Sequence, residues 1–371
     1  MNSIKSVEVW WNGRMVGRLA LTREGLCAFE YSAEQLASGV SISPFELPLR
    51  SGVFVAMPRP FDGGFGVFDD CLPDGWGLLV LDRYLQKKEI NPRSLTLLDR
   101  LSLVGSTGRG ALEFRPDNSV ADDRDFADFE QLALEAERIL GSEAYDGTGI
   151  EEFQRRGGSP GGARPKIFTR YDGREWLVKF RAKGDPKNIG AMEYRYSQLA
   201  KECGVEMPET RLFEENYFGV ERFDRTPNGK LHVVSMAGLL CADYRVPSID
   251  YLHIFRVCAA LTHSVGEMWK IYRLMCFNYL IGNKDDHAKN FDFIHRDGEW
   301  RFAPAFDLLP SDGMNGYHTT SINDSIEPTK ADLITVAVDS GLDKDEAEDV
   351  FEMMKEVIDR NYLLKFRNFV A

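Results

Sequence analysis

The stretch Ile281-Gly282-Asn283-Lys284-Asp285-Asp286-His287-Ala288-Lys289-Asn290 holds the chain's most specific chemical pattern. It sets a carboxylate, Asp285, and a carboxamide, Asn290, in the spacing D-x-x-x-x-N. In phosphoryl transfer such a pair meets two needs: the acid takes or orients the proton of an acceptor hydroxyl, and the amide oxygen holds magnesium against nucleotide phosphates. Taken singly, the acids have plainer readings, Asp285 to His287 as a solvated loop and Asp307 as a helix N-cap. The following residues tie them together. Phe291 to His295 and Glu299 to Phe302 alternate around Asp297-Gly298, which predicts a two-residue hairpin. Its register sets Asn290 opposite about Ala305 and returns Asp307 within side-chain reach of Asn290. Asn290 and Asp307 then form a candidate Mg²⁺ site, since this ion takes one or two protein oxygens and completes its shell with phosphate and water.

A second stretch is rich in glycine: Gly157-Gly158-Ser159-Pro160-Gly161-Gly162-Ala163-Arg164-Pro165-Lys166. Backbone N–H groups at Gly158, Ser159, Gly161, Gly162 and Ala163 could close around an anion, although the spacing matches neither the Walker A pattern nor G-x-G-x-x-G. Two strands follow, Lys166 to Tyr171 and Arg174 to Phe180, paired across Asp172-Gly173. Lys179 lies on the second. A glycine loop followed by a strand lysine is the order in which protein kinases cover and grip phosphates, and Val-Lys-Phe is similar to V-A-I-K. The competing reading of Lys179 is a surface lysine. Glu193, on a predicted helix from Ile189 to Cys203 that stops at Gly204, is placed to pair with it; any exposed helix also carries glutamates.

The elements that must position these residues are legible in outline. Val7 to Trp11, Asn12-Gly13 and Met15 to Leu21 predict a hairpin near the start. Leu72-Pro73-Asp74-Gly75-Trp76-Gly77 is a turn that starts an amphipathic helix, its Trp-Gly pair read as packing. Ser94 to Leu103 is read as helix. The loop Val104 to Ala111 could cradle phosphate, with a tight turn the stronger reading. Pro116 to Asp125 is the expected linker and Phe126 to Leu140 an amphipathic helix. Thr210 to Phe213 and Tyr217 to Phe223 are strands. From about residue 245 the pattern turns helical, with Ile249 to Leu261 and Glu267 to Ile281 as core helices. A last helix runs from a capping box at Asp343 through Val357.

Length and composition bound the possibilities. The 371 residues, 43% hydrophobic and 12% aromatic, describe a folded chain of two or three subdomains. No apolar run approaches a membrane span, and the first residues lack a signal-peptide pattern. Six dispersed cysteines without C-x-x-C argue against a disulfide frame or structural zinc and for a reducing cytoplasm. A net charge of −13 disfavours a broad nucleic-acid face, so DNA contact is expected only through a partner.

Several stretches together resemble the HipA family of serine/threonine kinases, the toxins of HipBA-type toxin–antitoxin pairs. They are Gly158-Ser159 through Lys166, Val220-Glu221-Arg222-Phe223-Asp224-Arg225, Gly282 through Asn290, and Phe306-Asp307, with looser similarity at Leu72 to Gly77 and Gly110 to Leu112. The resemblance spans nearly the whole chain. It implies an α+β, two-lobed, protein-kinase-like fold: residues 1–117 as a small β-rich subdomain, 118–225 as the nucleotide-binding part of the N-lobe, and 226–371 as a helical C-lobe. It implies ATP and Mg²⁺ as cofactors, Asp285 as catalytic acid, Asn290 and Asp307 as metal ligands, and Lys179 on the phosphates. The backbone near Glu221 and Phe223 would meet adenine, and His287 and Lys289 are further candidate nucleotide contacts. Ser159 would be a self-phosphorylated regulatory serine. Implied partners are a HipB-like helix-turn-helix antitoxin and a protein substrate such as an aminoacyl-tRNA synthetase. The chain departs from the family pattern at Pro160, at Arg164-Pro165 where a Gln is usual, and at His232-Val233-Val234-Ser235-Met236, which replaces a segment rich in Glu and Gln. Two other functions compete: a corepressor with vestigial catalysis, and a phosphotransferase acting on a small molecule.

Overall fold

A computed structural model describes residues 4–120, 128–141, 147, 149–157, 162–313 and 316–368, with side chains to Asn361. Gly158, Ser159, Pro160 and Gly161 lie outside the described residues, as do the end of the expected linker and the first residues of the helix after it. The chain packs into two compact units. One comprises residues 1–191, 210–234 and 238–241; the other comprises 192–209, 235–237 and 242–371.

Among the described residues the first unit contains two antiparallel sheets of four or more strands, besides a short two-stranded ribbon of Arg225–Thr226 and Gly229–Lys230. One is built from β1 (Ser6–Trp11), β2 (Arg14–Leu21), β3 (Cys27–Tyr31), β4 (Val53–Val55) and β5 (Leu112–Arg115), in the order β4-β3-β2-β1-β5. Val7, Val9 and Trp11 alternate inward along β1, and Asn12 (φ 46°) with Gly13 (φ 80°) makes the primed turn into β2. The second sheet is built from β6 (Lys166–Tyr171), β7 (Arg174–Lys179), β8 (Thr210–Phe213) and β9 (Tyr217–Glu221), in the order β6-β7-β9-β8. Its first hairpin turns through Asp172 (φ 51°) and Gly173 (φ 74°). Gly219 on β9 is required by close packing, because a Cβ there would stand 2.3 Å from the Phe213 ring. That ring meets the edge of Trp176 at 5.5 Å.

One core serves both the N-terminal segment and the second sheet. Trp76 and Val80 of the helix Gly75–Lys87 pack with Phe129, Leu132 and Ile139 of the helix Phe129–Gly141, with Ile150 and Phe153 of the helix Ile150–Gly157, and with Ile167, Trp176 and Val178 of the sheet. The helix expected over Ser94 to Leu103 is divided. Pro92–Ser94 forms a 3-10 turn, and the α-helix Leu97–Val104 starts anew at Thr96, whose side chain accepts from Asp99 N while the Asp99 carboxylate accepts from Thr96 N.

The second unit is mainly helical. The helices Tyr251–Thr262, Val265–Ile281, Lys330–Asp339 and Lys344–Asn368 bury Ile254, Phe255, Ile271, Tyr272, Leu333, Val336, Phe351 and Met354. Asp250 caps the first of them, with Leu252 N donating to its Oδ1 at 2.8 Å. The last helix runs past Val357, where the sequence reading ended it, because no Gly or Pro interrupts the residues beyond. Strands Asp292–Arg296 and Glu299–Phe302 form the hairpin over Asp297 (φ 53°) and Gly298 (φ 86°). Among the described residues no helix is long and apolar enough to cross a membrane.

Candidate active site

The helix Val265–Ile281 ends at Gly282, which takes the left-handed conformation (φ 70°) that closes helices, and hands the chain to the Asp285 loop. Asn283 then pins the loop. Its amide nitrogen donates to Asn278 Oδ1 at 3.0 Å and to the Asp307 carbonyl at 3.3 Å, and its Oδ1 accepts from Asp285 N at 3.3 Å. Asn278 in turn donates to the Tyr251 hydroxyl at 3.0 Å, and that hydroxyl reaches Asp286 Oδ2 at 3.4 Å. Asp286 is the hub, at 1% exposure. Its Oδ1 accepts from the backbone N–H groups of Thr319 and Thr320 at 3.0 and 3.2 Å, and its Oδ2 lies 3.0 Å from His318 Nδ1. The Thr320 hydroxyl donates to the Asp286 carbonyl. Burial and the adjacent Asp286 charge push the Tyr251 hydroxyl far above its usual range. With Asp286 pulled inward, Asp285 is left exposed. Sequence reasoning weighed Asp285 and passed over Asp286 and Asn283; the only local signal was a second acid beside the first.

The other end of the motif is fixed just as locally. Asn290 Nδ2 donates to the Asp285 carbonyl at 2.7 Å, which commits the amide nitrogen and leaves the oxygen as the atom a hard cation takes. His287 caps the short turn Ala288–Asn290, its Nδ1 accepting from Lys289 N at 3.2 Å. The Lys289 ammonium sits 4.1 Å from the centre of the Tyr244 ring, whose centre is 6.0 Å from that of His287. The hairpin has the expected register: Phe293 faces Phe302, Ile294 faces Arg301, and Ala303 N donates to Asp292 O at 2.9 Å. The strand pairing ends there, since Ala305 N turns to the Glu206 carbonyl. Asp307 follows, exposed and in a left-handed backbone conformation (φ 58°), tied to the Asp285 loop by Asn283. The donor set, one carboxylate and one carboxamide oxygen, fits magnesium with nucleotide phosphates completing the shell.

In the first unit, Lys179 is buried at the end of β7, facing Lys166 on one side and Phe218 on the other, with its ammonium 5.6 Å from the Phe218 ring centre. Gly162 (φ 91°) is exposed, as is Ala163, and a Cβ on Gly162 would stand 2.6 Å from Lys166 Nζ. A second strand lysine, noted in the sequence only as a strand start, therefore lies at the exit of the glycine-rich loop. Glu221 ends β9 and pairs with Arg174 at 3.0 Å. Phe223 is half-buried between members of an ion cluster: Asp224 accepts from Arg222 and from Arg225, each at 2.9 Å, and Arg222 lies 3.4 Å from Glu175. Burial would raise the Asp224 carboxyl, but the two arginine charges outweigh it and hold the group well below the usual carboxylate range. Gly110 N donates to Asp224 at 2.8 Å, while Arg225 takes the carbonyls of Gly108 and Gly110 at 2.7 and 2.9 Å. The loop from Val104 to Ala111 is thus a turn locked onto this cluster. Glu193 is a buried residue of the helix Ile189–Glu202.

Comparison with known proteins accounts for both units. Residues 158–362 match the family model of the HipA-like C-terminal domain, and residues 7–115 match that of the HipA N-terminal domain. A Sinorhizobium fredii protein named "Putative kinase Y4dM" is 27% identical over 349 residues, covering 87% of this chain and 81% of the relative. A second from the same organism, "Putative kinase Y4mE", is 26% identical, covering 83% and 77%. Among solved structures, a chain of the Shewanella oneidensis complex of HipA, HipB and operator DNA superimposes with a TM-score of 0.69 at 20% identity, covering 95% of this chain and 90% of the other. The fold is accordingly the two-lobed, kinase-like α+β fold, and the chain belongs to the HipA family.

Proposed function

We propose that the chain is an ATP- and Mg²⁺-dependent serine/threonine protein kinase, acting as the growth-arresting toxin of a toxin–antitoxin pair. The observation that carries this reading is the construction of the Asp285 loop. A buried acid, Asp286, anchors it, so that Asp285 is presented to solvent, while Asn283 and Asn290 tie Asp307 and the metal-binding amide to the same loop. Such a site needs little covalent chemistry from the protein; it needs positioned charges. Asp285 would accept or orient the proton of the acceptor hydroxyl. Asn290 Oδ1 and the Asp307 carboxylate would hold magnesium, which when bound neutralises phosphate charge. Lys179 would bind nucleotide phosphates, the backbone from Glu221 to Phe223 would face adenine, and His287 and Lys289 would border the nucleotide. Phosphorylation of Ser159 would add about −1.5 to −2 charges beside the phosphate site and oppose ATP binding. The names of the two relatives support kinase chemistry, and the Shewanella complex of HipA, HipB and operator DNA supports a HipB-like partner. The acceptor is proposed to be a protein, an aminoacyl-tRNA synthetase being the kind the family resemblance suggests.

The test uses labelled ATP with purified protein and a cell lysate. Asp285→Asn should lower transfer by at least about a thousandfold while retaining MgATP binding, whereas Asp307→Asn should lose both. Expression of the wild-type chain without a partner should slow growth, and Asp285→Asn should relieve it. Full transfer by the Asp285→Asn protein would remove the kinase assignment. If both proteins are equally harmless at matched, soluble expression, the toxin reading loses its support and a corepressor is favoured.

A further inference from the structure

The segment that follows Asp307 turns back onto the Asp285 loop and engages it at every second residue. Ser311 N donates to Gly282 O at 3.0 Å, and Lys284 N donates to Ser311 O at 3.2 Å. The Lys284 ammonium donates to Gly316 O at 2.7 Å, and Lys284 O accepts from the Thr319 hydroxyl at 3.0 Å. Asp286 closes the contact: its carboxylate takes the Thr319 and Thr320 amides and the His318 ring, and its carbonyl takes the Thr320 hydroxyl. Lys284 and Asp286 thus face the returning segment. Asp285, between them, is exposed and has its main-chain N–H and carbonyl held by Asn283 and Asn290 instead. Among the groups on the Asp286 carboxylate, His318 has a distinct place. Both amides bond Oδ1, so the plane of the carboxylate is set by what holds Oδ2. The Tyr251 hydroxyl stands 3.4 Å from that oxygen and is shared with Asn278, whereas the buried His318 Nδ1 lies at 3.0 Å. A carboxylate offers only acceptors, so Nδ1 carries the hydrogen of this bond.

We infer that His318 is a positioning residue for phosphoryl transfer: by fixing the second oxygen of Asp286 it holds the neighbouring Asp285 side chain in the orientation that meets an acceptor hydroxyl. This rests on the reading of Asp285 as the group that takes or orients the acceptor proton. His318 touches no reacting atom; it acts through Asp286. Misplacing a reacting group by about 1 Å costs on the order of a hundredfold in rate, so a loosened anchor beside Asp285 shows first in the transfer step. Nucleotide binding is spared, because the proposed metal residues Asn290 and Asp307 are tethered by other bonds, to Asp285 O and to Asn283.

The test follows label transfer from ATP into the proteins of a cell lysate, with MgATP affinity by calorimetry and urea unfolding in parallel, all on the full chain. His318→Phe keeps a ring and removes the donor; it should lower the rate at saturating ATP about a hundredfold, with KM for ATP and MgATP affinity within about twofold of wild type. His318→Asn places an amide N–H near the position of Nδ1 and should recover most of that rate. Thr320→Val removes only the hydroxyl bond to the Asp286 carbonyl and leaves both amides, so it should slow transfer about tenfold, and it supplies the answer should His318→Phe fail to fold. Asp285→Asn separates the two layers. If Asp285→Asn abolishes transfer while His318→Phe and Thr320→Val transfer at the wild-type rate, the positioning role is overturned and the reading of Asp285 stands. If Asp285→Asn transfers as wild type does, that reading falls and the inference with it. A loss of transfer in His318→Phe matched by an equal loss of MgATP affinity would make His318 a structural support and overturn the inference, as would a His318→Asn protein as slow as His318→Phe.

Discussion

The Asp285 loop and the exit of the glycine-rich loop are both held in place, but by opposite means. Around Asp285 the work is done by buried side chains, with Tyr251, Asn278, Asn283, Asp286 and His318 linked in one hydrogen-bonded set. At Gly162 the contacts run through main-chain groups, its N–H donating to the Asp74 carboxylate and its carbonyl accepting from Trp76 N, and the participating glycine is exposed. A buried polar set fixes one geometry and fails as a whole when a member is lost. A main-chain clasp is indifferent to the loop's own side chains and depends on the partner segment. The Asp285 loop should accordingly be brittle to substitution and the glycine-rich loop tunable.

The largest effect expected from this contrast is at Asp286. Replacing it with Ala removes the partner of four buried groups, the Thr319 and Thr320 amides, the His318 ring and the Tyr251 hydroxyl, and should destabilise the second unit by about 3–5 kcal/mol, read from denaturant unfolding. A loss below about 1 kcal/mol would break the comparison. The first unit offers an intermediate case, a half-buried acid that is not so richly paired. Burial raises the Glu46 carboxyl to about 7, against hydrogen bonds from the Gly66 and Val67 amides and Cys241. Because the folded pKa exceeds the unfolded one, its contribution is fully present below about pH 4.5 and is lost as pH rises through 7. Thermal stability of the first unit should fall by about 2 kcal/mol across that window, and Glu46→Gln should flatten the dependence. The smallest effect is at Asn283. Asn283→Ala should cost about 1.5 kcal/mol in stability and reduce phosphoryl transfer disproportionately, since it loosens Asp307 from the Asp285 loop while leaving both acids in place. A stability loss without an added loss of activity would show that Asp307 needs no such tether.

What could be read from the sequence was local. Asn12-Gly13, Asp172-Gly173 and Asp297-Gly298 marked hairpins because only such residues take positive φ cheaply at both turn positions, and all three turns have it. The hairpin register followed from the third of these turns and the alternation around it. The candidate residues of the site were legible as types and spacings for the same reason. The parts that remained hidden are those whose partners lie far along the chain. Asp286 resembles its neighbour Asp285 until Thr319 and Thr320 close over it. Trp76 appeared to be packing because nothing within a helix turn of it announces Gly162. Arg222 and Asp224 showed no reason to be charged, since the Gly108 carbonyl and the Gly110 amide that they hold belong to a loop more than a hundred residues earlier. Periodicity also could not apportion the core: the helix Gly75–Lys87 packs Trp76 and Val80 with the second sheet, so the N-terminal segment contributes to a shared interior.

The left-handed backbone at Asp307 narrows what that position can become. For most side chains this conformation costs roughly 1–2 kcal/mol, and Asp, Asn and Gly bear it most easily. Of these three only Asp would bring a negative charge to the proposed magnesium ion, so on that proposal geometry and chemistry select the same residue. Asn at this site is consequently a clean probe that alters charge and spares the backbone, whereas Ala would mix two effects, and Glu, the nearest chemical substitute, would add strain in the very place where its carboxylate is wanted.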